Sequence, residues 1–280
     1  MKILGIDFTS SPTRKKPITC LSCVLENGVL SASRQHLDRL DHFDKFENML
    51  SSAGPWLAAI DFPFGLPRKF IVNIGWPQTW ACYVKHASGL GREGFRGCLD
   101  AYRKSQPKGD KEHRRATDCQ AGSISPQKLY GVPVGLMFFE GAPRLIKAGV
   151  TIPGLQMGDA NRIVVEAYPG VLARKFIPQK KYKNDSTSKQ TDDQRKARHD
   201  LFTKITNGRL NDYGFKVASC ASLVDDLIDD PTGDTLDALL CAIQGAWSWT
   251  KRENDFGASR NIDPLEGWIA DPKCQLELSQ

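Results

Sequence analysis

Two short apolar segments that end in aspartate constrain the fold of this chain more than any other feature. Residues 2–8 (KILGIDF) carry Asp7 at the end of an apolar run, and residues 56–61 (WLAAID) carry Asp61 at the same point. Brief apolar runs of this kind predict buried strands. The sequence therefore predicts two strands that each end in a carboxylate.

The residues between these two strands predict a hairpin and a helix. Residues 18–25 have strand composition, and Asn27-Gly28 supplies the positive φ angles that a tight hairpin turn requires. Residues 29–36 should therefore return as a third, antiparallel strand. Residues 41–51 then show helical periodicity. The predicted order is β-β-β-α-β.

The long middle of the chain has weak periodicity. Residues 62–158 are rich in Gly, Pro, Trp and basic side chains, and we expect them to form an insertion or cap. Residues 178–198 are lysine-rich and poor in apolar side chains, which is typical of a mobile surface loop that leads into a helix and could face substrate. The length favours one elaborated domain over residues 1–280.

Two late segments add further acids. Residues 162–168 have strand character and carry Glu166, and residues 233–249 are the strongest predicted helix. Asp234 and Asp237 lie near the beginning of that helix and, three residues apart, on neighbouring points of its surface.

Composition excludes a disordered or membrane protein but names no function. The chain has 40% hydrophobic and 25% charged residues, and Lys plus Arg exceed Asp plus Glu by 38 to 32. That excess would favour a polyanion only if it were gathered on one face. No leader or membrane-spanning run is apparent, so we expect a soluble cytoplasmic protein with no membrane partner, whose eight cysteines are reduced thiols.

The acids predict metal-dependent chemistry when they are taken together. A strand-end aspartate can cap a turn and helix-start acids favour the helix dipole, so each has a structural explanation alone. Converging carboxylates repel one another unless a hard cation such as Mg²⁺ or Mn²⁺ lies among them. Two such ions can activate water and stabilise a leaving oxygen, which predicts phosphodiester hydrolysis.

Four motifs resemble the landmarks of one protein family. They are GIDFTSSP at 5–12, AAIDFPFGLP at 58–67, VVEAYPGVLAR at 164–174 and GDTLDALLCA at 233–242. In this order they resemble the DUF429 family of predicted ribonuclease H-like nucleases. The resemblance implies a ribonuclease H-like α/β fold. Its mixed five-stranded sheet has three antiparallel strands followed by parallel strands, flanked by helices, with a large insertion after the fourth strand.

The resemblance also implies roles for the acids. Asp7, Asp61 and Asp237 would be the metal ligands, with Asp234 a fourth catalytic acid. The Asp-x-x-Asp pair is similar to that of the resolvase branch, which favours DNA cleavage slightly. Glu166, in the family-like ExYP motif, would bind metal or substrate, or else be a structural acid tied to Tyr168 or a nearby arginine.

Candidate substrate-binding residues are mostly basic. Arg115, in a family-like RxTD stretch, and Arg114 are the first candidates to contact phosphate, with Thr9 and Lys181 as further ones. The basic residues of 101–118, including His113, and the lysines at 180, 181 and 183 could clamp nucleic acid, DNA or RNA, or could form a solvated face. Three aromatic side chains could stack on bases: Trp76, Trp80 and Tyr83.

Three alternative functions stay open. IDFTSS at 6–11 resembles the phosphate loop of actin-like ATP-binding proteins, although Phe8 and Thr9 replace the residues that let backbone approach phosphate. A non-catalytic nucleic-acid-binding module would keep the carboxylates as caps or as a simple metal site. A hydrolase of nucleotides or other small phosphoesters would use the middle segment to form a closed pocket.

Overall fold

A computed structural model describes residues 1–208, 210–219, 221–259 and 262–275. Within these ranges a seven-stranded mixed sheet is flanked by ten α-helices, none of which is both long and apolar enough to cross a membrane. The strands are Lys2–Asp7 (β1), Ile18–Glu26 (β2), Val29–Leu40 (β3), Trp56–Asp61 (β4), Val150–Thr151 (β5), Asp159–Glu166 (β6) and Lys216–Ser219 (β7). The helices are Phe43–Leu50 (α1), Arg68–Asn73 (α2), Trp80–Gly89 (α3), Gly91–Ser105 (α4), Ala116–Ala121 (α5), Val134–Ala148 (α6), Pro169–Phe176 (α7), Asp192–Thr206 (α8), Ala221–Asp229 (α9) and Asp234–Thr250 (α10).

The strand order is β5-β6-β4-β1-β2-β3-β7. β2 pairs antiparallel with β1 and β3, and the other described pairs are parallel. The predicted start of three antiparallel strands followed by parallel ones is confirmed, but the count of five strands is wrong. The additional strands, β5 and β7, are edge strands of two and four residues, too short to give an alternating pattern.

The hairpin turn follows the predicted chemistry. Asn27 and Gly28 have φ angles of 49° and 72°, and Glu26 pairs with Val29 across the turn. Both turn residues thus take the positive φ that Asn-Gly tolerates at low cost.

The sheet has a hydrophobic layer on each face. On one face, α7, α8, α9 and α10 cover side chains such as Ile3 and Leu57. On the other face, rings from the middle segment, including Phe95 and Phe138, pack with Ile6 in one buried cluster. Residues 62–158 therefore supply, together with α1, the helical layer of this second face, and they also supply the edge strand β5.

Burial corrects one prediction about the middle segment. Trp76, Trp80 and Tyr83 are only 7%, 2% and 0% exposed and belong to this second cluster. Because their rings are enclosed by the core, they cannot stack on bases.

Glycines allow α10 to lie directly on the sheet. A Cβ atom at Gly5 of β1 would come 1.9 Å from the Ala238 carbonyl oxygen, and one at Gly245 would come 2.9 Å from the Ala59 Cβ. Real side chains do not approach this closely, so the bare backbone at these two positions fixes the helix-to-sheet distance. This close packing brings the first turn of α10 to the end of β1.

Candidate carboxylate site

Two aspartates end neighbouring strands in register. β1 and β4 are parallel, and Asp7 is the backbone partner of Asp61. Both side chains are partly buried. Asp237, in the first turn of α10, is completely buried, and Asp234 is partly buried three residues earlier.

The electrostatics show that these acids interact. Burial raises the pKa of Asp7 well above its ordinary value; repulsion from Asp234, Asp237 and Asp61 adds to this, and Lys183 opposes it. Among the described residues, no side chain donates a hydrogen bond to the carboxyl group of Asp7 or of Asp61.

Asp61 is affected in the same way. Burial raises its pKa to about 7, with repulsion from Asp237 adding and the Lys183 ammonium opposing. Two adjacent carboxyl groups without donors need either a cation or a retained proton near neutral pH.

Asp237 differs because two side chains hold it. Tyr182 donates a hydrogen bond to Asp237 Oδ1 at 2.6 Å, and the Lys183 ammonium pairs with Oδ2. Both residues come from the predicted loop between α7 and α8. Burial lowers the pKa of Lys183, but Asp237 above all outweighs this and raises it well above the ordinary value. Lys183 is therefore charged.

The contacts of the aspartates determine which carboxylates are available as metal ligands. Within the part of the chain that the structure describes, no three His, Cys, Asp or Glu side chains converge closely enough to hold a metal ion. Asp237 is bound by Tyr182 and Lys183, which leaves Asp7 and Asp61 as a pair. Among the described residues, Lys183 is nevertheless the one cation that opposes the charges of Asp7, Asp61 and Asp234 and that pairs with Asp237, so the cluster has more negative than positive charge.

Glu166 lies at the end of β6 but has a different partner. Arg115 donates to both of its carboxylate oxygens, at 2.8 and 2.5 Å, and to both oxygens of Asp118, at 2.9 and 2.8 Å. The Phe64 amide adds a bond of 2.8 Å to Glu166 Oε2. These contacts match the structural alternative for Glu166, an acid tied to a nearby arginine.

The same contacts correct the expectation for Arg115. Its side chain is 1% exposed, and each guanidinium nitrogen donates to Asp118, Glu166 or the Glu266 carbonyl. Arg115 has no donor left for phosphate.

The other predicted substrate-binding residues are scattered. Thr9 is partly buried just past β1, while Arg114 and Lys181 are exposed. The expectation for His113 is wrong. Its ring is buried and already bonded, to the Tyr102 hydroxyl at 2.6 Å and beside Asp110 at 3.3 Å, and burial lowers its pKa, so it does not clamp phosphate.

Sequence reasoning named Lys183 only as one of three lysines that could clamp nucleic acid, and it missed Tyr182. Lys183, and not Lys181, reaches the acids. Because this lysine-rich segment has no periodicity, its sequence does not predict which lysine contacts the aspartates.

An apolar pocket adjoins the carboxylates. It has a volume of about 270 Å³, and Asp61 and Lys183 line it together with Arg115 and Glu166. Its apolar lining includes Ile124, Val132, Val134, Met137, Tyr168 and Ile269. No local sequence pattern indicates this pocket, apart from the general alternative of a closed site formed by the middle segment.

No family model matches the chain, and no curated protein or solved structure matches it significantly. The resemblance to the DUF429 family therefore stays a prediction.

Proposed function

We propose that this chain is a ribonuclease H-like hydrolase that cleaves phosphodiester bonds with Mg²⁺ or Mn²⁺. The observation that carries the proposal is the in-register pair of Asp7 and Asp61, which accepts no hydrogen bond from another side chain that the structure describes and lies beside the acids of α10. A buried, self-repelling cluster of this kind costs folding free energy, and a divalent cation offsets that cost. The mixed sheet, with acids from its first and fourth strands and a late helix, supports the ribonuclease H-like assignment.

The chemistry of the donor atoms suits a hard cation. Asp7 and Asp61 offer carboxylate oxygens, the ligands that Mg²⁺ and Mn²⁺ prefer, and Asp237 would become a third ligand residue if Lys183 released it. A bound cation would supply a water activated for attack and a charge that stabilises the leaving oxygen.

The chain's own side chains have separate roles in this proposal. Tyr182 orients Asp237 by donating to Oδ1. Lys183, 38% exposed, can turn its ammonium from Asp237 to a substrate phosphate without leaving the site. Glu166 and Arg115 hold β6 and the segment around α5 together and do not touch the reacting atoms.

The test is metal-dependent cleavage. Purified protein is incubated with single-stranded, duplex, hybrid and four-way-junction nucleic acids in Mn²⁺, Mg²⁺ or EDTA, alongside Asp7→Asn and Asp237→Asn. Asp193→Asn, whose side chain is 90% exposed on α8, is the matched control. We expect cleavage in metal that both cluster variants lose and the control keeps.

Two results would overturn the proposal. Cleavage that persists in both cluster variants would place the chemistry elsewhere. Binding of nucleic acid without cleavage, unaffected by Asp7→Asn, would make the chain a non-catalytic binding module.

A further inference from the structure

The pocket beside Asp61 is continuous with the carboxylate cluster. Asp61 and Lys183 belong to both, so a phosphate bound by the Lys183 ammonium would have its organic substituent beside the pocket. Exposed apolar side chains lie at the same place: Ile124 is 43% and Val132 is 54% exposed. Exposed apolar surface that borders a cavity is typical of a ligand site.

The chemistry of the lining excludes a second phosphate inside. Apart from Asp61 and Lys183, which also belong to the cluster, most polar side chains of the pocket are bonded to one another: Arg115 pairs with Glu166 and Asp118, and Ser123 donates to Asp118 at 2.7 Å. The remaining lining is apolar, and an anion placed there would lose its hydration without gaining donors. The pocket therefore suits an uncharged and largely apolar group.

One ring side chain in the pocket is held in place. The Arg174 guanidinium lies 5.2 Å from the centre of the Tyr168 ring, and Arg174 also donates to the Tyr168 hydroxyl at 3.3 Å. A fixed aromatic ring is a platform on which a nucleobase stacks, whichever base it is.

Volume limits how much can enter. About 270 Å³ is just below the range of about 300–1,000 Å³ for pockets that hold drug-sized ligands. The space admits one base with part of its sugar, but not a stack of neighbouring bases.

We propose that this pocket binds a single unstacked nucleobase, stacked on Tyr168, whose phosphate lies at Lys183. The phosphate position rests on the proposed function; base binding in the pocket does not. The ligand is then a nucleotide unit, either free or at an unpaired position of a strand, and not a base pair inside a duplex.

Equilibrium binding in EDTA tests the pocket without requiring cleavage. Calorimetry compares adenosine 5′-monophosphate, uridine 5′-monophosphate and ribose 5-phosphate on wild type, Tyr168→Phe, Tyr168→Leu and Val132→Trp. We expect both nucleotides to bind at least tenfold more tightly than ribose 5-phosphate. Tyr168→Phe should keep this affinity, whereas loss of the ring in Tyr168→Leu and filling of the pocket mouth in Val132→Trp should each weaken it about tenfold.

The control is Tyr130→Leu, which removes an exposed aromatic ring that does not line the pocket. Equal binding of ribose 5-phosphate and the nucleotides overturns the inference, and so does unchanged nucleotide affinity in both Tyr168→Leu and Val132→Trp. Nucleotide binding without metal-dependent cleavage would instead refute the proposed function while leaving the pocket assignment standing.

A cleavage arm in Mn²⁺ separates the two sources of the nucleotide unit. Release of inorganic phosphate from a mononucleotide identifies free nucleotides as substrate, and release of nucleotides from single strands identifies polynucleotides. Both results fit the pocket. Internal cleavage of intact duplex that Val132→Trp leaves unchanged contradicts it.

Discussion

Replacing Arg115 with glutamine separates a structural role for this residue from phosphate binding. The guanidinium is 1% exposed and donates to four carboxylate oxygens of Asp118 and Glu166. Arg115→Gln removes the positive charge and leaves both carboxylates inside the protein. Burial already raises the pKa of Glu166 while Arg115 opposes it, so without Arg115 that pKa rises further.

The expected loss of stability is large. Removing one partner of a buried ion pair costs about 3–5 kcal/mol, because the remaining charge stays desolvated. For a chain of this size, about 4 kcal/mol lowers the unfolding temperature by roughly 10 °C. The orphaned Glu166 takes up a proton in the folded state as the pH falls, because burial raises its pKa. The stability deficit against wild type is therefore full at pH 8 and shrinks as the pH falls toward the ordinary pKa of glutamate.

Urea unfolding followed by tryptophan fluorescence at pH 8 and pH 5 measures this. Arg114→Gln, one residue away and exposed, is the matched control and should stay within about 0.5 kcal/mol of wild type. Arg115→Lys keeps the charge but loses the forked geometry and should fall between the two. If Arg115→Gln unfolded like wild type yet lost nucleic-acid affinity, the structural reasoning would be refuted and Arg115 would be a phosphate ligand.

Three further predictions concern the packing and charge of the site. Gly5→Ala should destabilise the protein by about 3 kcal/mol or more in urea unfolding, because the added methyl group would collide with α10. The control is Gly97→Ala, which has open space around it and should be neutral or stabilising. Equal effects of the two substitutions would contradict the packing argument. In EDTA, Asp61→Asn should raise the unfolding temperature at pH 8 but not at pH 4. Because burial raises the pKa of Asp61 to about 7, the metal-free wild type loses up to about 4 kcal/mol of its free energy of unfolding as the pH rises from the ordinary pKa of aspartate to about 7. An unchanged unfolding temperature of Asp61→Asn at pH 8 would disprove this. Lys183→Met should tighten Mn²⁺ binding several-fold in electron paramagnetic resonance titrations, since the competing ammonium is gone, whereas Lys181→Met should not; weaker binding in Lys183→Met would show that the lysine does not compete with metal.

The sequence by itself determined the local elements that frame the site. The apolar runs that end in Asp7 and Asp61 are strands β1 and β4, the Asn27-Gly28 turn joins β2 to β3, and the periodic stretch after Gly233 is α10. Each of these depends on neighbouring residues alone, through turn chemistry or hydrophobic period, so it can be read without knowing the rest of the fold.

Only the tertiary structure decided what each side chain does. Arg115 meets Glu166 across 51 residues, and Lys183 meets Asp237 across 54, so neither pairing leaves a mark in local sequence. Local sequence likewise does not indicate that the Trp80 ring is buried, because residues from other segments of the chain bury it. Nor does it indicate the pocket at Tyr168. Burial and charge pairing depend on which segments the folded chain brings together, and one-dimensional periodicity does not encode that.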